Sequence, residues 1–216
     1  YDSVETIDMN KWYHIVAYTS GSPRDTISVA VNGEVWIKVE DFEHGPLCTT
    51  ANINIGTWSD GTFWSWCGFM DNMKMYVGYA DNTYDPVLEY QKGRTGNYGI
   101  ANSALKIWLK SDTTYGDTNF TDASSTGATV TPRGGVYHHI DDNRTANTAL
   151  YFDGASKIEL PWHSNLKFAG SAAIWTFECW AKYTGTATEA AIFGWGQDSS
   201  NNFFIGLNTT TKLWVY

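Results

Sequence analysis

The stretch "DTISVAVNGEVWIKVE", residues 25–40, constrains the fold more than any other. Ile27, Val29 and Val31 lead into Asn32-Gly33, and Val35, Ile37 and Val39 lead out. Side chains on a strand point to alternate faces, so this period of two marks strands with one face buried. Asn-Gly supplies the two positive φ angles of a tight type I′ hairpin. The segment therefore reads as two antiparallel strands with a two-residue turn.

The same alternation recurs along the chain. "NINIG", "MDNMKMYVG", "ALKIWLK", "ALYFDGASKIELP", "WTFECWAKY", "AAIFGW", "NNFFIGL" and "KLWVY" all read as strands. "KWYHIVAYT" is apolar on both faces, as a central strand is. No stretch has the 3.6-residue period of an amphipathic helix of useful length, so the class is all-β. Apolar residues make up 43 % of the 216, ample for a core. The 11 Trp and 13 Tyr suit sheets, and they also suit contact surfaces where a flat ring offers area at little entropic cost. With 14 basic against 23 acidic side chains the formal charge is −9, which argues against nucleic acid and against anionic membrane surfaces as partners. No apolar run approaches a membrane span.

Family likeness rests on the order of several weak motifs. "WYHIVAY", "VAVNGEVW", "INIGTW" and "GFMDNMKMY" make residues 10–80 resemble the second half of a laminin-G-like, or concanavalin-A-like lectin, domain. "LKIWLKSD", "TNFTDASSTGATVTP", "ALYFDGASKIELP", "WTFECWAKY" and "NNFFIGLNTTTKLWVY" make residues 105–216 resemble the first half. The second set is similar to lectin-like domains that occur in tandem in structural proteins of tailed phages. The resemblance implies an antiparallel jelly-roll β-sandwich. Because the back half precedes the front half, two arrangements are open: a window cut from a tandem array, or two halves closing into one circularly permuted sandwich. The window is the preferred expectation. It makes 1–80 the C-terminal half of one sandwich, 81–104 a connector, and 105–216 the N-terminal half of a second.

The resemblance also implies non-catalytic recognition on a virion surface or in an extracellular setting. The partners would be glycans or other subunits of the same particle, within a larger assembly. Two aromatic loops are candidates for glycan contact. "TWSDGTFWSWC" offers Trp58, Trp64 and Trp66, with Phe63, Ser59 and Asp60 beside them; "FGWGQDSSNN" offers Trp195 and Asp198, with Gln197 and Asn201. Indoles stack on the apolar faces of sugar rings, and Asp or Asn side chains bond the hydroxyls. The same rings also serve as core or as subunit contacts.

Alternation places Asp71 on the side of Phe69, Met73, Met75 and Val77, facing inward. A buried carboxylate needs a partner. Calcium is one, held by Asp71 with Asp153 of the "FDG" turn. The plainer and preferred alternative has Asp71 accepting backbone N–H bonds at a bulge or strand start, and Asp153 capping its turn. His14 reads as a hydrogen-bonded core histidine, and His138-His139 beside Asp141-Asp142 as a solvated polar turn rather than a metal cluster. Cys179 reads as a small buried hydrophobe; Cys48 and Cys67 are either paired or free. The paired carboxylates of a glycoside hydrolase are missing from any one strand, and no nucleophile or phosphate-loop motif occurs, so the expectation is no enzyme.

Overall fold

The structure is a computed structural model that describes residues 1–20, 26–40, 51–58, 64–77, 90–91, 104–140, 148–161, 175–186, 189–196 and 202–215. The strands in chain order are β1 (Asp2–Thr6), β2 (Trp12–Ser20), β3 (Thr26–Val31), β4 (Glu34–Glu40), β5 (Ile53–Ile55), β6 (Cys67–Val77), β7 (Leu105–Leu109) and β8 (Thr131–Arg133). They continue with β9 (Tyr137–His139), β10 (Ala149–Asp153), β11 (Lys157–Leu160), β12 (Trp175–Tyr183), β13 (Ala190–Gly196), β14 (Asn202–Leu207) and β15 (Lys212–Val215). All strand pairs among the described residues are antiparallel, as the alternating patterns imply.

Two sheets form. The first runs β1-β15-β14-β13-β5-β11-β8. The second runs β4-β3-β2-β12-β6-β10-β9, with β7 also pairing β6. Strands from 1–80 and from 105–216 share both sheets: β12 lies between β2 and β6, and β5 lies between β13 and β11. Both stretches of the sequence thus contribute strands to one two-sheet sandwich. The antiparallel two-sheet sandwich is compatible with the lectin-like fold that the resemblance implies.

The inner faces meet in one core. Phe177 of the second sheet stacks on Phe193 of the first, ring centroids 4.6 Å apart, and Trp175 meets Phe203 edge-on at 4.9 Å. Ile15, Val29, Met70, Met73, Leu150 and Cys179 complete it from one sheet, and Ile53, Ile55, Ile158, Ile205 and Val215 from the other. Cys179 is the small buried hydrophobe expected, and burial, followed by the charges of Glu178 and Asp71, pushes its thiol well above the ordinary range. Cys67 is a free thiol; Cys48 lies outside the described residues.

The β3–β4 hairpin turns on Asn32 (φ 51°) and Gly33 (φ 90°), as the Asn-Gly pair implies. One detail differs. Val29 opposes Ile37 and Ala30 opposes Val35, so Trp36 is an extra residue in β4. Such a bulge reverses the alternation beyond it. Val35 therefore falls on the outer side and is 48 % exposed, while Ile37 and Val39 stay in the core.

A second bulge answers the question of Asp71. In the β6–β12 pair, Lys74 opposes Glu178 and Asp71 opposes Trp180, which leaves Asn72 and Met73 against Cys179 alone. Asn72 takes the left-handed conformation (φ 49°) that lets one extra residue be absorbed. At the same point β6 exchanges its other neighbour, from β10 at Met70 to β7 at Met73. Core-facing residues are thus Met70 before the bulge and Met73 and Met75 after it. Asp71 shares a face with Phe69, not with Met73 and Met75. That face is the outer one, so the inward aspartate is corrected to an outward one, and the bulge anticipated as an alternative is its cause.

Candidate functional site

The outer face of the first sheet carries a cluster of aromatic rings. Phe204 of β14 and Trp214 of β15 belong to neighbouring strands and meet edge-on at 4.9 Å. Over them lies the chain that follows β5. It can lie there because position 194 of β13 is glycine: a Cβ would come within 2.8 Å of the Thr57 carbonyl oxygen and 3.0 Å of Trp58 Cα. Trp58 then stacks on Trp64 with centroids 4.7 Å apart and planes 29° apart, and Trp64 reaches Phe204 at 5.2 Å and Trp214 at 5.3 Å. Phe204 is buried, whereas Trp58, Trp64 and Trp214 are half-buried.

Trp64 is held in an uncommon conformation. Its φ of 56° is left-handed, which disfavours a bulky residue and persists only where the surroundings fix it. Here its carbonyl accepts the Ala191 N–H at 2.6 Å, and its ring is gripped by three others. The result is a rigid aromatic surface outside the core.

The other aromatic candidates are placed differently. Trp66 is 1 % exposed and packs on Tyr183 at 5.0 Å in the inter-sheet core. Trp195, 4 % exposed, pairs with Ile53 across the sheet, and its indole N–H donates to the Ala51 carbonyl at 3.3 Å. Both are corrected from candidate platforms to core residues, because a ring closed off on all sides offers no face to a sugar. Ser59, Asp60, Phe63, Gln197, Asp198 and Asn201 lie outside the described residues.

Asp71 and Asp153 are not brought together. Asp71 opposes Trp180, whereas Asp153 opposes Cys67, four residues away along β6, or about 13 Å. Asp153 is exposed, and its carboxylate accepts the Ala155 N–H at 2.9 Å, so it caps the turn before β11. No group of three or more His, Cys, Asp or Glu among the described residues is arranged to hold a metal. A shared calcium site on these two residues has no geometric support.

The outer face of the second sheet buries polar groups instead. Lys74 and Glu178 form an ion pair at 2.6 Å with side chains 6 % and 4 % exposed. Asn72 accepts the Trp108 indole N–H at 2.8 Å, and Asp71 is 1 % exposed. His14 is buried on this outer face rather than between the sheets, at 5.1 Å from Trp180 and 5.9 Å from Tyr90. Tyr90, one of the few described residues of the connector, also meets Trp180 at 5.8 Å and so helps to cover the face.

His138 and His139 occupy strand β9, not a turn, and point to opposite faces. His138 is buried. Its Nδ1 lies 2.7 Å from Ser111 Oγ, its Nε2 3.1 Å from the Asn119 carbonyl oxygen, and its ring stacks on Phe120 at 4.6 Å. Burial holds its pKa below the usual imidazole range against the Asn119 hydrogen bond and the Asp117 charge, which act the other way. Beside it opens a polar cleft of about 310 Å³. Asp112 and Asp117 line it, and Asp117 is already engaged by the Asn119 backbone N–H at 2.9 Å, the Asn119 amide at 2.8 Å and Thr113 Oγ1 at 3.0 Å, and is held below its ordinary value by these bonds.

Motifs that carry the family resemblance turn out to brace the fold. In "FTDASSTG" the Asp122 carboxylate accepts the backbone N–H groups of Trp108, Ser124 and Ala128 and the Ser124 hydroxyl, all between 2.8 and 2.9 Å. Phe204 and Trp214 carry no distinguishing sequence signal, because each lies in an ordinary apolar strand. Only their pairing across β14–β15 puts them beneath Trp64. Compared with protein-family models, curated proteins and solved structures, the chain gives no match to any of the three.

Proposed function

We propose that this sandwich is a non-catalytic recognition module of the jelly-roll lectin class, which binds glycans through the outer Trp58–Trp64–Trp214 surface. The observation that carries this reading is the stacked, half-buried Trp58–Trp64 pair, outside the core and fixed with Trp64 in a left-handed conformation. Rings held in place lose little entropy on binding, and the exposed part of a half-buried indole offers apolar area that matches the apolar face of a sugar. The acidic balance of the chain favours neutral sugars over polyanions. Absence of catalysis is part of the proposal. Asp71 and Glu178, in the middle of the outer face of the second sheet, are buried, and Glu178 is tied to Lys74, which leaves neither open to a glycosidic bond. A virion-surface or extracellular setting, in a larger assembly, is the context in which such a module would act.

The test is a titration of intrinsic tryptophan fluorescence with a panel of neutral oligosaccharides, on the unaltered chain and on Trp58→Ala and Trp214→Ala. Saturable quenching that both substitutions weaken at least tenfold supports the reading. No response to any sugar, together with concentration-dependent self-association lost in Trp58→Ala, would replace it by a structural module whose rings make subunit contacts.

A further inference from the structure

A line of side chains crosses the outer face of the second sheet at its other end. Trp12 of β2 opposes Lys182 of β12, Lys182 opposes Phe69 of β6, Phe69 opposes Tyr151 of β10, and Tyr151 opposes Tyr137 of β9. Residues directly opposite in register lie in one row perpendicular to the strands, one per strand. Five strands at about 4.8 Å spacing give a row roughly 19 Å long. The rings are in contact along it: Trp12–Phe69 6.4 Å, Phe69–Tyr151 5.2 Å and Tyr151–Tyr137 5.2 Å; Phe69 itself is buried, so the accessible part of the row is the half-buried Trp12, Tyr151 and Tyr137. Tyr115, 54 % exposed, extends it by meeting Tyr137 edge-on at 6.0 Å, and His139 flanks the row at 5.4 Å from Phe69.

We infer that this row is a second glycan site, separate from the Trp58–Trp64 surface, which takes an extended neutral polysaccharide lying across the strands. The inference rests on the glycan-recognition reading for its ligand class, but not for its residues. Three features select this occupant. The row spans five strands and widens to two rings only where His139 packs against Phe69, Tyr151, Tyr137 and Tyr115, an elongated shape that suits a chain rather than the broad patch of a protein contact. Its pitch, 5.2 to 6.0 Å between neighbouring rings from Phe69 to Tyr115, is that of successive sugar rings in an extended chain. Every ring but Phe69 carries a polar group, and the Lys182 ammonium lies 5.7 Å from the Phe69 ring, a mixed apolar and polar lining of the kind a hydroxylated ligand suits. One lysine among the described residues of the row, in a chain of net charge −9, does not make a site for a polyanion.

The two surfaces belong to opposite outer faces of the sandwich. One molecule then engages two glycan chains, which is cross-linking rather than tighter binding to one chain.

The experiment is native electrophoresis in gels containing soluble neutral β-linked glucan or xylan, followed by calorimetry with oligosaccharides of two to six sugars. The proteins are the unaltered chain, Trp58→Ala, Tyr115→Ala, and Tyr137→Ala with Tyr151→Ala, each checked for folding by near-ultraviolet circular dichroism. Tyr115→Ala, at an exposed position, keeps the test decisive if the double variant fails to fold. Retardation that persists in Trp58→Ala, weakens about threefold to tenfold in Tyr115→Ala, and strengthens with oligosaccharide length up to about four sugars supports the row. Retardation abolished by Trp58→Ala alone and untouched by the tyrosine substitutions overturns it while leaving the Trp58 site standing. No retardation of the unaltered chain by any polysaccharide overturns both. Self-association lost in Tyr115→Ala also overturns it, in favour of a contact between copies.

Discussion

Each sheet turns one face inward and one outward, and the two outward faces are built differently. On the first sheet the outer face is topped by rings: Trp58 and Trp64 lie over Phe204 beside Trp214. On the second the middle of the outer face holds Lys74, Glu178, Asp71, Asn72 and His14, all buried. Charges removed from water must be paired, so that region is committed to internal bonds. Half-buried rings stay partly in contact with water. The difference teaches where to look for recognition: in open aromatic surfaces rather than in sealed polar ones, even though carboxylates draw the eye first.

The largest expected effect breaks the sealed side. Lys74→Met leaves Glu178 buried and unpaired, which costs about 3–5 kcal/mol by urea denaturation. The double variant Lys74→Met, Glu178→Leu recovers most of that loss. A single substitution costing under about 1 kcal/mol would show that the face is wet, since exposed pairs contribute no more than this, and would remove the contrast. Next, Gly194→Ala forces a Cβ against Thr57 and Trp58. We expect a loss of about 1–3 kcal/mol, of the size seen on overpacking, together with a change in the near-ultraviolet circular dichroism of the tryptophans.

Trp58→Ala separates stability from binding. It should cost no more than about 1.5 kcal/mol beyond the burial of the ring, the scale of one aromatic pair, yet weaken sugar affinity about tenfold, which is about 1.4 kcal/mol. The smallest effect is a pH dependence. His138 has a folded pKa below its ordinary 6.5, so the unfolded chain binds more protons in the acidic range. Its contribution to stability is present above pH 6.5 and is lost as pH falls below that value. His138→Gln should flatten this part of the stability profile between pH 7 and 5, measured as denaturation midpoints. A profile that falls equally in the variant would assign the loss to the carboxylates.

The fold class was legible because alternation survives in most strands, and Asn32-Gly33 announced its turn without ambiguity. What alternation alone misassigned were facings beyond a bulge. Val35 and Asp71 were both placed inward, and in each strand one extra residue, Trp36 or Asn72, reverses the parity. No local composition marks these bulges; they arise from pairing with a strand distant in sequence. Trp66 shares parity with Gly68 and Met70, which face the core before the bulge, so its burial follows from the same correction. Trp195 alternates with Phe193 and was readable as core from its own strand. The aromatic surfaces were only half legible. Trp58 and Trp64 stand out in sequence, but they meet Phe204 and Trp214 only once β5 lies beside β13, and the row from Trp12 to Tyr137 exists only once β12 is set between β2 and β6.

The most direct test labels every tryptophan with 5-fluorotryptophan and follows the fluorine resonances during a sugar titration, each assigned by single substitution. The account expects Trp58, Trp64 and Trp214 to shift with saturating sugar, and Trp66, Trp175, Trp180 and Trp195 to stay fixed. Fixed resonances at Trp58, Trp64 and Trp214 with sugar bound elsewhere, or shifts dominated by the buried four, would contradict it.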